Sequence, residues 1–600
     1  MATAKKSAPK KAVPQTRKRA TTRSRVSLVR PHWSTACPDW EKRIVEGIPL
    51  TPCEPLFAGS AKLGMSIFNQ LQIVDAGVTF GDSRPWISSF AESIFGSYCD
   101  IPGHEDEGRR LIKTFFMLIS KKNTKSTFAA GIMLTVLIMN WRQEAEFIIL
   151  SPTKEVADNS FKPIKAAIEA DEELRALFHI QPHLRQITHN ETKATLKVVA
   201  ADSATVSGKK ATGVLVDEMH EFGKIAKAED MFVEATGGLM SRPEGFVIYL
   251  TTQSSEPPAG VFKKELDYAR AVRDGKVIDP SYMPIIYEFP DEYLDPRTKP
   301  YLREENWYMT NPNLGVSVDR DTLRQKLSKA GTSGEDSLQA VVSKHLNVQI
   351  GLDLGADAWP AAQYWLEAKH PRVRTLQQLF DICEVVTAGL DGGGLDDLLA
   401  LVLTGRLRGT LDQYVSWGHC WCTPNVLKIR QEISPRLQDF STQGDLSIVE
   451  PGKDAEEAAD ILAMTKATGL LAGVGIDPAK RAALQAALIA KGVVELIDDE
   501  PDEKFYVKVR QGWSLYGAMF NMERALQEGR YTHCDQPIWA WSVGNAKVVQ
   551  RSNAMLVTKE VSGKAKIDLV MAGFNAMELM SYNPPARTGG YSLDNLSLMG

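Results

Sequence analysis

The chain has 600 residues, of which 44% are hydrophobic and 24% are charged, and its formal net charge is -4. Single domains usually hold about 100 to 200 residues, so this length predicts two or more domains of ordinary globular composition. The seven cysteines have no regular spacing, which argues against a disulfide framework and fits a reducing compartment. The longest apolar run, residues 128–139, is shorter than the roughly 20 residues that cross a bilayer. We therefore predict a buried helix there and expect no membrane partner.

Charge is distributed unevenly along the chain. Residues 1–30 carry ten Lys or Arg and no acidic residue. Apolar residues are scarce in this stretch, so burial cannot offset the entropy of ordering it, and we predict a disordered basic tail over residues 1–30. Such a tail could contact nucleic-acid phosphates or could be only a solubilising extension, and the two interpretations stand equally.

Two α/β units are predicted after this tail. Between about 110 and 255, short apolar runs alternate with helical stretches, a pattern typical of a mainly parallel sheet with helices on both faces. A second unit starts near residue 383, and its first three apolar runs are predicted to be successive antiparallel strands. A polar connector with several tryptophans separates them. The predicted domains are 1–30 (tail), 31–345, 346–382 (connector) and 383–600.

A candidate phosphate loop, SKKNTKST, follows the apolar run KTFFMLIS. Lys125 and Ser126 stand where the Lys and Ser/Thr of such a loop belong, so Lys125 would reach the β- and γ-phosphates of ATP and Ser126 would ligate Mg²⁺. Ile119 and Thr124 replace the two usual glycines, so a simple polar turn is the competing interpretation. The loop residues predicted to bind ATP are Lys122, Asn123, Thr124, Lys125, Ser126 and Thr127.

Two acidic residues end a strand about 90 residues downstream, in GVLVDE. Asp217 is predicted to hold Mg²⁺, and Glu218 is predicted to orient or activate the attacking water. The next apolar run, GFVIYLTTQ, ends in small hydroxyl residues that sense the γ-phosphate in motor ATPases. We assign this role to Thr252.

Four aspartates of the second unit adjoin apolar segments. Dispersed carboxylates of this kind are what a nuclease with two Mg²⁺ or Mn²⁺ ions requires, although acids at strand ends are common in general. Three glycines after the first of them would permit close approach of a substrate backbone. The predicted metal ligands of this unit are Asp391, Asp397, Asp477 and Asp568.

Together these motifs resemble the large terminase subunits of tailed bacteriophages. The family's phosphate loop reads Pro-Arg-Lys-Asn-Gly-Lys-Ser, and the likeness continues in the family's order from about residue 60 onward. Its further segments are ILSPTKEVADNSF, VSGKKATGVLVDE, TTQS, WYMTNPNLG and KHLNVQ. The resemblance implies a P-loop NTPase domain followed by a ribonuclease H-like nuclease domain, with Asp391, Asp477 and Asp568 as catalytic acids and Asp397 as a further ligand.

In that family an Arg in or near the phosphate loop often stabilises the transition-state charge. Lys121 occupies that position here and is the candidate replacement, although an ammonium cannot make the planar bidentate contact of a guanidinium. The resemblance leaves the adenine contacts open. Candidates upstream of the loop are Gln70, Gln72, Phe90 and Phe95, each of which also fits ordinary packing or surface.

The resemblance also implies a function and partners. ATP hydrolysis would drive viral double-stranded DNA into a procapsid, and the nuclease would cut concatemeric DNA to start and end packaging. The implied partners are the portal protein, a small terminase subunit and further copies of the chain in a ring, usually of five. The implied location is the cytoplasm of the infected bacterium and, transiently, the portal vertex, but not the mature virion. The alternatives are a repair or recombination ATPase with a nuclease, and a DNA-binding scaffold that does not hydrolyse ATP.

Overall fold

The computed structural model describes residues 30–201, 211–225, 227–295, 298–350, 358–394, 396–478, 481–551, 554–557 and 566–587. Nearly all of the predicted basic tail lies outside these described residues, as do residues 351–357 of the predicted connector. Among the helices of the described ranges, none has the length and hydropathy that a bilayer crossing requires.

A small N-terminal layer precedes the first sheet. It consists of three helices and a short hairpin: α1 (Trp40–Glu46), α2 (Ala58–Phe68), β1 (Gln72–Ile73), β2 (Val78–Thr79) and α3 (Pro85–Phe95). The layer packs tightly, since a Cβ built on Gly131 of the next helix would lie 2.7 Å from the Phe80 ring. Phe90 and Phe95 are fully buried in the same core.

The first unit is built on an eight-stranded sheet in the order β10-β3-β9-β8-β4-β7-β6-β5. Its strands are β3 (Thr114–Leu118), β4 (Glu146–Ser151), β5 (Phe178–Gln181), β6 (Gln186–His189), β7 (Thr195–Ala200), β8 (Ala211–Val216), β9 (Phe246–Thr251) and β10 (Tyr282–Ile286). Only the β5–β6 and β6–β7 pairings are antiparallel among the pairs of this sheet. The predicted mainly parallel sheet is confirmed.

Helices cover both faces of this sheet: α4 (Lys125–Ile138), α5 (Lys154–Ala170), α6 (Glu172–Leu177), α7 (Met219–Phe222), α8 (Ala228–Gly237), α9 (Gly260–Arg273), α10 (Arg320–Ser333) and α11 (Glu335–Leu346). Side chains alternate along β3, so that Phe115 packs in the core that contains α4, whereas Phe116 packs in the core that contains α9. Helix α4 is buried over most of its length, as the apolar run 128–139 predicts.

The second unit contains a seven-stranded sheet in the order β14-β13-β12-β11-β15-β18, with β19 also beside β13. Its strands are β11 (Cys383–Gly392), β12 (Leu399–Leu407), β13 (Tyr414–Cys422), β14 (Leu446–Ile448), β15 (Leu471–Ile476), β18 (Tyr506–Lys508) and β19 (Tyr531–His533). Two hairpins lie outside it: β16 (Leu496–Ile497) with β17 (Glu500–Pro501), and β20 (Val548–Arg551) with β21 (Ala554–Val557).

Strands β11, β12 and β13 are successive and antiparallel, as predicted, and β15 runs parallel to β11 on its other side. This is the strand arrangement of a ribonuclease H-like sheet, so the predicted fold class is confirmed for the second unit as well. Its helices are α12 (Ala362–Trp365), α13 (Leu376–Ile382), α14 (Pro424–Ile429), α15 (Ser434–Gln443), α16 (Lys453–Ala467), α17 (Arg481–Ala490), α18 (Tyr516–Gln527), α19 (Pro537–Gly544) and α20 (Asp568–Ser581).

Tryptophans of the predicted connector pack into this second unit. The Trp359 ring lies 5.3 Å from that of Phe574, and the Trp365 ring lies 5.3 Å from that of Trp539. Both connector tryptophans are fully buried. Residues 358–382 therefore contribute to the second core, while the domain limits themselves stay a prediction.

The two units touch at α15. The backbone N–H of Gly260, at the start of α9, donates to Asp439 Oδ2 over 2.8 Å. The Arg436 guanidinium donates to the carbonyl oxygen of Pro257. This contact joins the segment after β9 to the second unit.

Candidate nucleotide-binding and nuclease sites

The predicted phosphate loop connects β3 to α4. Ile119 still continues the sheet at the carboxyl end of β3, because its N–H donates to the carbonyl of Thr251 over 3.0 Å and its side chain is buried. Glycine is therefore not needed at that position. Thr124 caps α4 in the left-handed conformation, with a φ of 58°, and Lys122 has a φ of 76°. The loop thus adopts at non-glycine residues a conformation that glycine usually provides.

The loop residues meet the two predicted acids at the end of β8. Ser126 Oγ donates to Asp217 Oδ2 over 2.9 Å, and Lys125 Nζ lies 3.0 Å from Glu218 Oε1. Ser160 on α5, which sequence reasoning missed, donates to the same Asp217 oxygen over 2.8 Å. Hydroxyl and carboxylate oxygens side by side are the donors that Mg²⁺ prefers, so Ser126 and Asp217 fit that ion.

Burial and charge act differently on the two acids. Burial raises the pKa of Asp217, and the neighbouring charge of Glu218 raises it further. Burial alone would also raise the pKa of Glu218, but the Lys125 ammonium and His220 outweigh burial and lower it. The Lys125 ammonium therefore favours the ionised form of Glu218, which is the form that can accept a proton from water.

A histidine that sequence reasoning missed joins these acids to the end of β9. His220 Nδ1 lies 3.4 Å from Glu218 Oε2 and 3.4 Å from Thr251 Oγ1, and its ring contacts Glu221 on the other side. Thr252 is buried, with Oγ1 3.5 Å from His220 Nδ1. The predicted γ-phosphate sensor thus contacts the histidine that touches Glu218. The signal was present in the sequence, since His220 follows Glu218 by two residues.

A cavity of about 600 Å³ lies in front of the loop. Its polar side holds six of the predicted residues: Lys121, Lys122, Thr124, Lys125, Ser126 and Thr127, with Glu218 beside them. Its apolar side is formed by the N-terminal layer and by α4 and α5, including Leu71, Ile73, Phe80, Leu134 and Ala167. A polar end and an apolar end match the phosphates and the base of a nucleotide.

Of the candidates for adenine contacts and the remaining loop residue Asn123, only one lines the cavity. Gln72 lines the cavity, whereas Gln70 is exposed and donates to the carbonyl of Ser66. Phe90 and Phe95 are core residues, which is the packing interpretation. Asn123 is also fully buried, so its side chain serves the loop rather than the cavity.

In the second unit, strand register brings three predicted acids to one edge of the sheet. Leu390 pairs with Ile476, so the next residues, Asp391 and Asp477, end neighbouring parallel strands. Asp568 begins α20, and a Cβ built on Gly392 would lie 3.1 Å from its Oδ1. Asp391 and Asp568 are buried, and oxygen donors of this kind suit Mg²⁺ or Mn²⁺.

The fourth acid has a different neighbour. Lys566 Nζ lies 2.7 Å from Asp397 Oδ1 and also donates to the carbonyl of Asp396. Asp396 accepts two hydrogen bonds of 2.8 Å from the Arg430 guanidinium. Among the described residues, no three Asp, Glu, His or Cys side chains form a group that could hold a metal ion. The strands bring the acids to one edge, and the ligand role of Asp397 stays a prediction.

Comparison with known families bears on the first unit. Residues 98–271 match the family model described as terminase large subunit, ATPase domain. This segment belongs to the terminase large-subunit ATPase domains. The match includes the phosphate loop, both acids at the end of β8 and the residues after β9. It ends before the second unit, so the terminase assignment rests on the ATPase domain.

Several solved terminase structures are similar to the chain. The HK97 bacteriophage large terminase is 19% identical, with 86% of this chain and 99% of that chain covered and a TM-score of 0.44. The large terminase of a thermophilic bacteriophage in complex with ADP is 12% identical, with coverages of 80% and 97% and a TM-score of 0.28. The large terminase nuclease of the thermophilic phage G20c with bound magnesium is 10% identical, with coverages of 37% and 97% and a TM-score of 0.22. No curated protein matches the chain.

Proposed function

We propose that this chain is a terminase large subunit that uses ATP hydrolysis to move viral double-stranded DNA into a procapsid. The observation that carries the proposal is the pairing of Lys125 with Glu218 and of Ser126 with Asp217. Both pairs lie within the segment that matches the terminase ATPase domain. A phosphate-binding lysine beside an ionised carboxylate is the arrangement that phosphoryl transfer to water requires.

The residues of the cavity suggest their own roles in hydrolysis. Lys125 would exchange its contact with Glu218 for the phosphates of ATP, because both compete for the same ammonium. Glu218, released from this pair, would orient the attacking water and accept its proton. Mg²⁺ held by Ser126 and Asp217 would supply charge neutralisation at the β- and γ-phosphates. Lys121, at the same wall of the cavity, is our candidate for stabilising the transition-state charge.

The ATPase proposal is tested by Lys125→Ala. We expect ATP turnover in the presence of DNA to fall by at least about a hundredfold, because one ammonium serves both ground-state binding and the transition state. Lys113→Ala is the matched control, since Lys113 is an exposed lysine at the opposite end of β3. Unaltered turnover in Lys125→Ala would show that the phosphate-loop assignment is wrong.

We further propose that the second unit is a metal-dependent endonuclease that cuts concatemeric DNA at the start and end of packaging. The support is the register that places Asp391 and Asp477 on adjacent strand ends with Asp568 nearby. Two Mg²⁺ or Mn²⁺ ions held there would activate water and stabilise the leaving oxygen. The backbone around Gly392 and Gly393, both with a positive φ, would let a DNA strand approach the acids.

The nuclease proposal is tested by Asp391→Asn. We expect Mn²⁺-dependent cleavage of plasmid DNA to be lost while ATP turnover stays largely intact, because the two sites use separate residues. Asp412→Asn is the control, since Asp412 is an exposed acid at the far end of the same sheet. Cleavage that persists in Asp391→Asn would refute the site.

Partners and location follow from the proposed packaging role. We propose that the chain works as a ring of five copies on the portal protein, supplied with DNA by a small terminase subunit. Its site of action would be the cytoplasm of the infected bacterium and the portal vertex of the procapsid. Co-sedimentation of the chain with portal-bearing procapsids in the presence of ATP is the direct test.

A further inference from the structure

The phosphate loop carries backbone strain that its sequence does not relieve. Lys122 and Thr124 both have positive φ values, 76° and 58°. Side chains with a Cβ adopt this region at a cost, and Thr is branched at that atom. Such conformations persist only where the surroundings hold them in place. The loop must therefore be fixed by contacts from elsewhere in the chain.

Those contacts come from the segment between the helical turn at 304–309 and α10. Asn313 donates to the loop three times: its backbone N–H to Asn123 Oδ1 over 3.0 Å, and its Nδ2 to Thr124 Oγ1 over 3.1 Å and to the Asn123 carbonyl over 3.5 Å. Ser317 Oγ donates to the carbonyl oxygen of Lys122 over 2.7 Å. Both left-handed residues are thus bonded from one segment about 190 positions later in the sequence.

Further hydrogen bonds of side-chain amides hold the loop and this segment together. Asn123 Nδ2 donates to the carbonyl of Ser120 and to Asn311 Oδ1, each over 2.9 Å. Asn313 Oδ1 accepts from Trp86 Nε1 over 2.9 Å. The three asparagines are buried, with at most 3% of their surface exposed. A fully bonded buried amide network allows one arrangement, so the loop has little freedom to relax.

We propose that Asn311 and Asn313 are positioning residues for ATP, which hold the phosphate loop in the conformation that glycines allow in other loops. Asn313 bonds the carbonyl of Asn123 and the hydroxyl of Thr124, and Asn311 accepts from the side-chain amide of Asn123. The N–H groups at the start of α4 have no partner within the helix itself, and this arrangement leaves them directed at the phosphates. The inference rests on the proposed ATPase function.

The test measures nucleotide affinity in a double-mutant cycle. Isothermal titration with Mg²⁺ and a non-hydrolysable ATP analogue is performed on the full chain and on Asn313→Ala, Thr124→Gly and the double variant. We expect Asn313→Ala to weaken binding about tenfold when Thr124 is present, but at most about twofold in the Thr124→Gly background. Glycine adopts the left-handed conformation without support from other residues, so removing Asn313 should then have little effect on binding. The KM for ATP should rise in Asn313→Ala while kcat changes little.

Asn306→Ala is the matched control, because Asn306, in the helical turn at 304–309 that precedes the segment, donates its side-chain amide to the carbonyl of Pro300 and not to the loop. It should bind the analogue like the unaltered chain. If Asn313→Ala weakened analogue binding equally in both backgrounds, or if Asn306→Ala weakened it as much, the positioning role of Asn313 would be refuted. If the unaltered chain binds no analogue at all, the proposed ATPase function is itself refuted, and the positioning role falls with it.

Discussion

Gly389 is a point at which the second unit has no room for a single added atom. A Cβ built there would lie 2.0 Å from the carbonyl oxygen of Ala572 and 2.4 Å from the N–H nitrogen of Ala576, both in α20. Real Cβ atoms essentially never come closer than 3.0 Å to a neighbour, so Gly389→Ala must displace α20 from β11 by about 1 Å or more. Because backbone atoms of a packed helix cannot rotate away, the variant should be destabilised by about 3 kcal/mol.

The displacement has a functional consequence that separates it from simple loss of stability. Gly389 stands two residues before Asp391, and Ala572 stands four residues after Asp568, so moving α20 parts two of the predicted nuclease acids. In differential scanning calorimetry we expect the transition of the second unit to fall by roughly 6–12 °C. Mn²⁺-dependent cleavage should be lost well below that temperature, while ATP turnover remains.

Gly517→Ala is the control for this experiment. Gly517 lies in α18 with open space around its Cβ position, so an alanine there should be neutral or stabilise the helix by up to about 1 kcal/mol. An unchanged transition and full cleavage in Gly389→Ala would refute the close packing of β11 against α20.

Three further outcomes are expected. Burial and the nearby lysines lower the pKa of His345 to about 4 from 6.5, so protonation favours the unfolded chain. The stability that the neutral imidazole contributes is fully present above pH 6.5 and is lost as the pH falls toward 4. His345→Gln should reduce that acid-induced loss in urea titrations by up to about 3 kcal/mol, and an unchanged pH profile would contradict it. Ser160→Ala removes one of two hydroxyls that bond Asp217 Oδ2, and should raise the Mg²⁺ concentration for half-maximal ATP turnover about tenfold; no shift would remove Ser160 from the site. Arg110→Met should destabilise the first unit by about 3 kcal/mol, because Arg110 is buried and donates to two backbone carbonyls; retention of the thermal transition would disprove this.

The sequence predicts best those features that depend on local pattern. Apolar runs bounded by polar turns identify β3, β8 and β9, and an acid at the end of a parallel strand can point only to the sheet edge where ligands bind. That is why the sequence alone pairs Asp217 and Glu218 with the phosphate loop. The same logic places Asp391 and Asp477 side by side, because strands β11 and β15 are parallel neighbours.

The sequence predicts poorly the contacts between segments that are distant along the chain. Ser160 reaches Asp217 from the middle of a helix, and Asn313 reaches Thr124 across almost 190 residues, so no spacing rule could link either pair. Lys566 beside Asp397 is a third case, since a lysine just before a helix has no signature of its own. These side chains act through tertiary hydrogen bonds, which periodicity does not encode.

The contact of α15 with the segment before α9 has a mechanical meaning. Only seven residues lie between Thr252, which contacts His220, and Gly260, whose N–H donates to Asp439 of the second unit. Pro257 and Pro258 lie within this stretch, and their rings restrict its backbone rotation. A displacement of Thr252 is therefore transmitted through a short segment of restricted backbone. It must either bend this segment or strain its hydrogen bonds to α15. The stretch from Thr252 to Gly260 thus links the two units directly, without passing through the residues that join them in sequence.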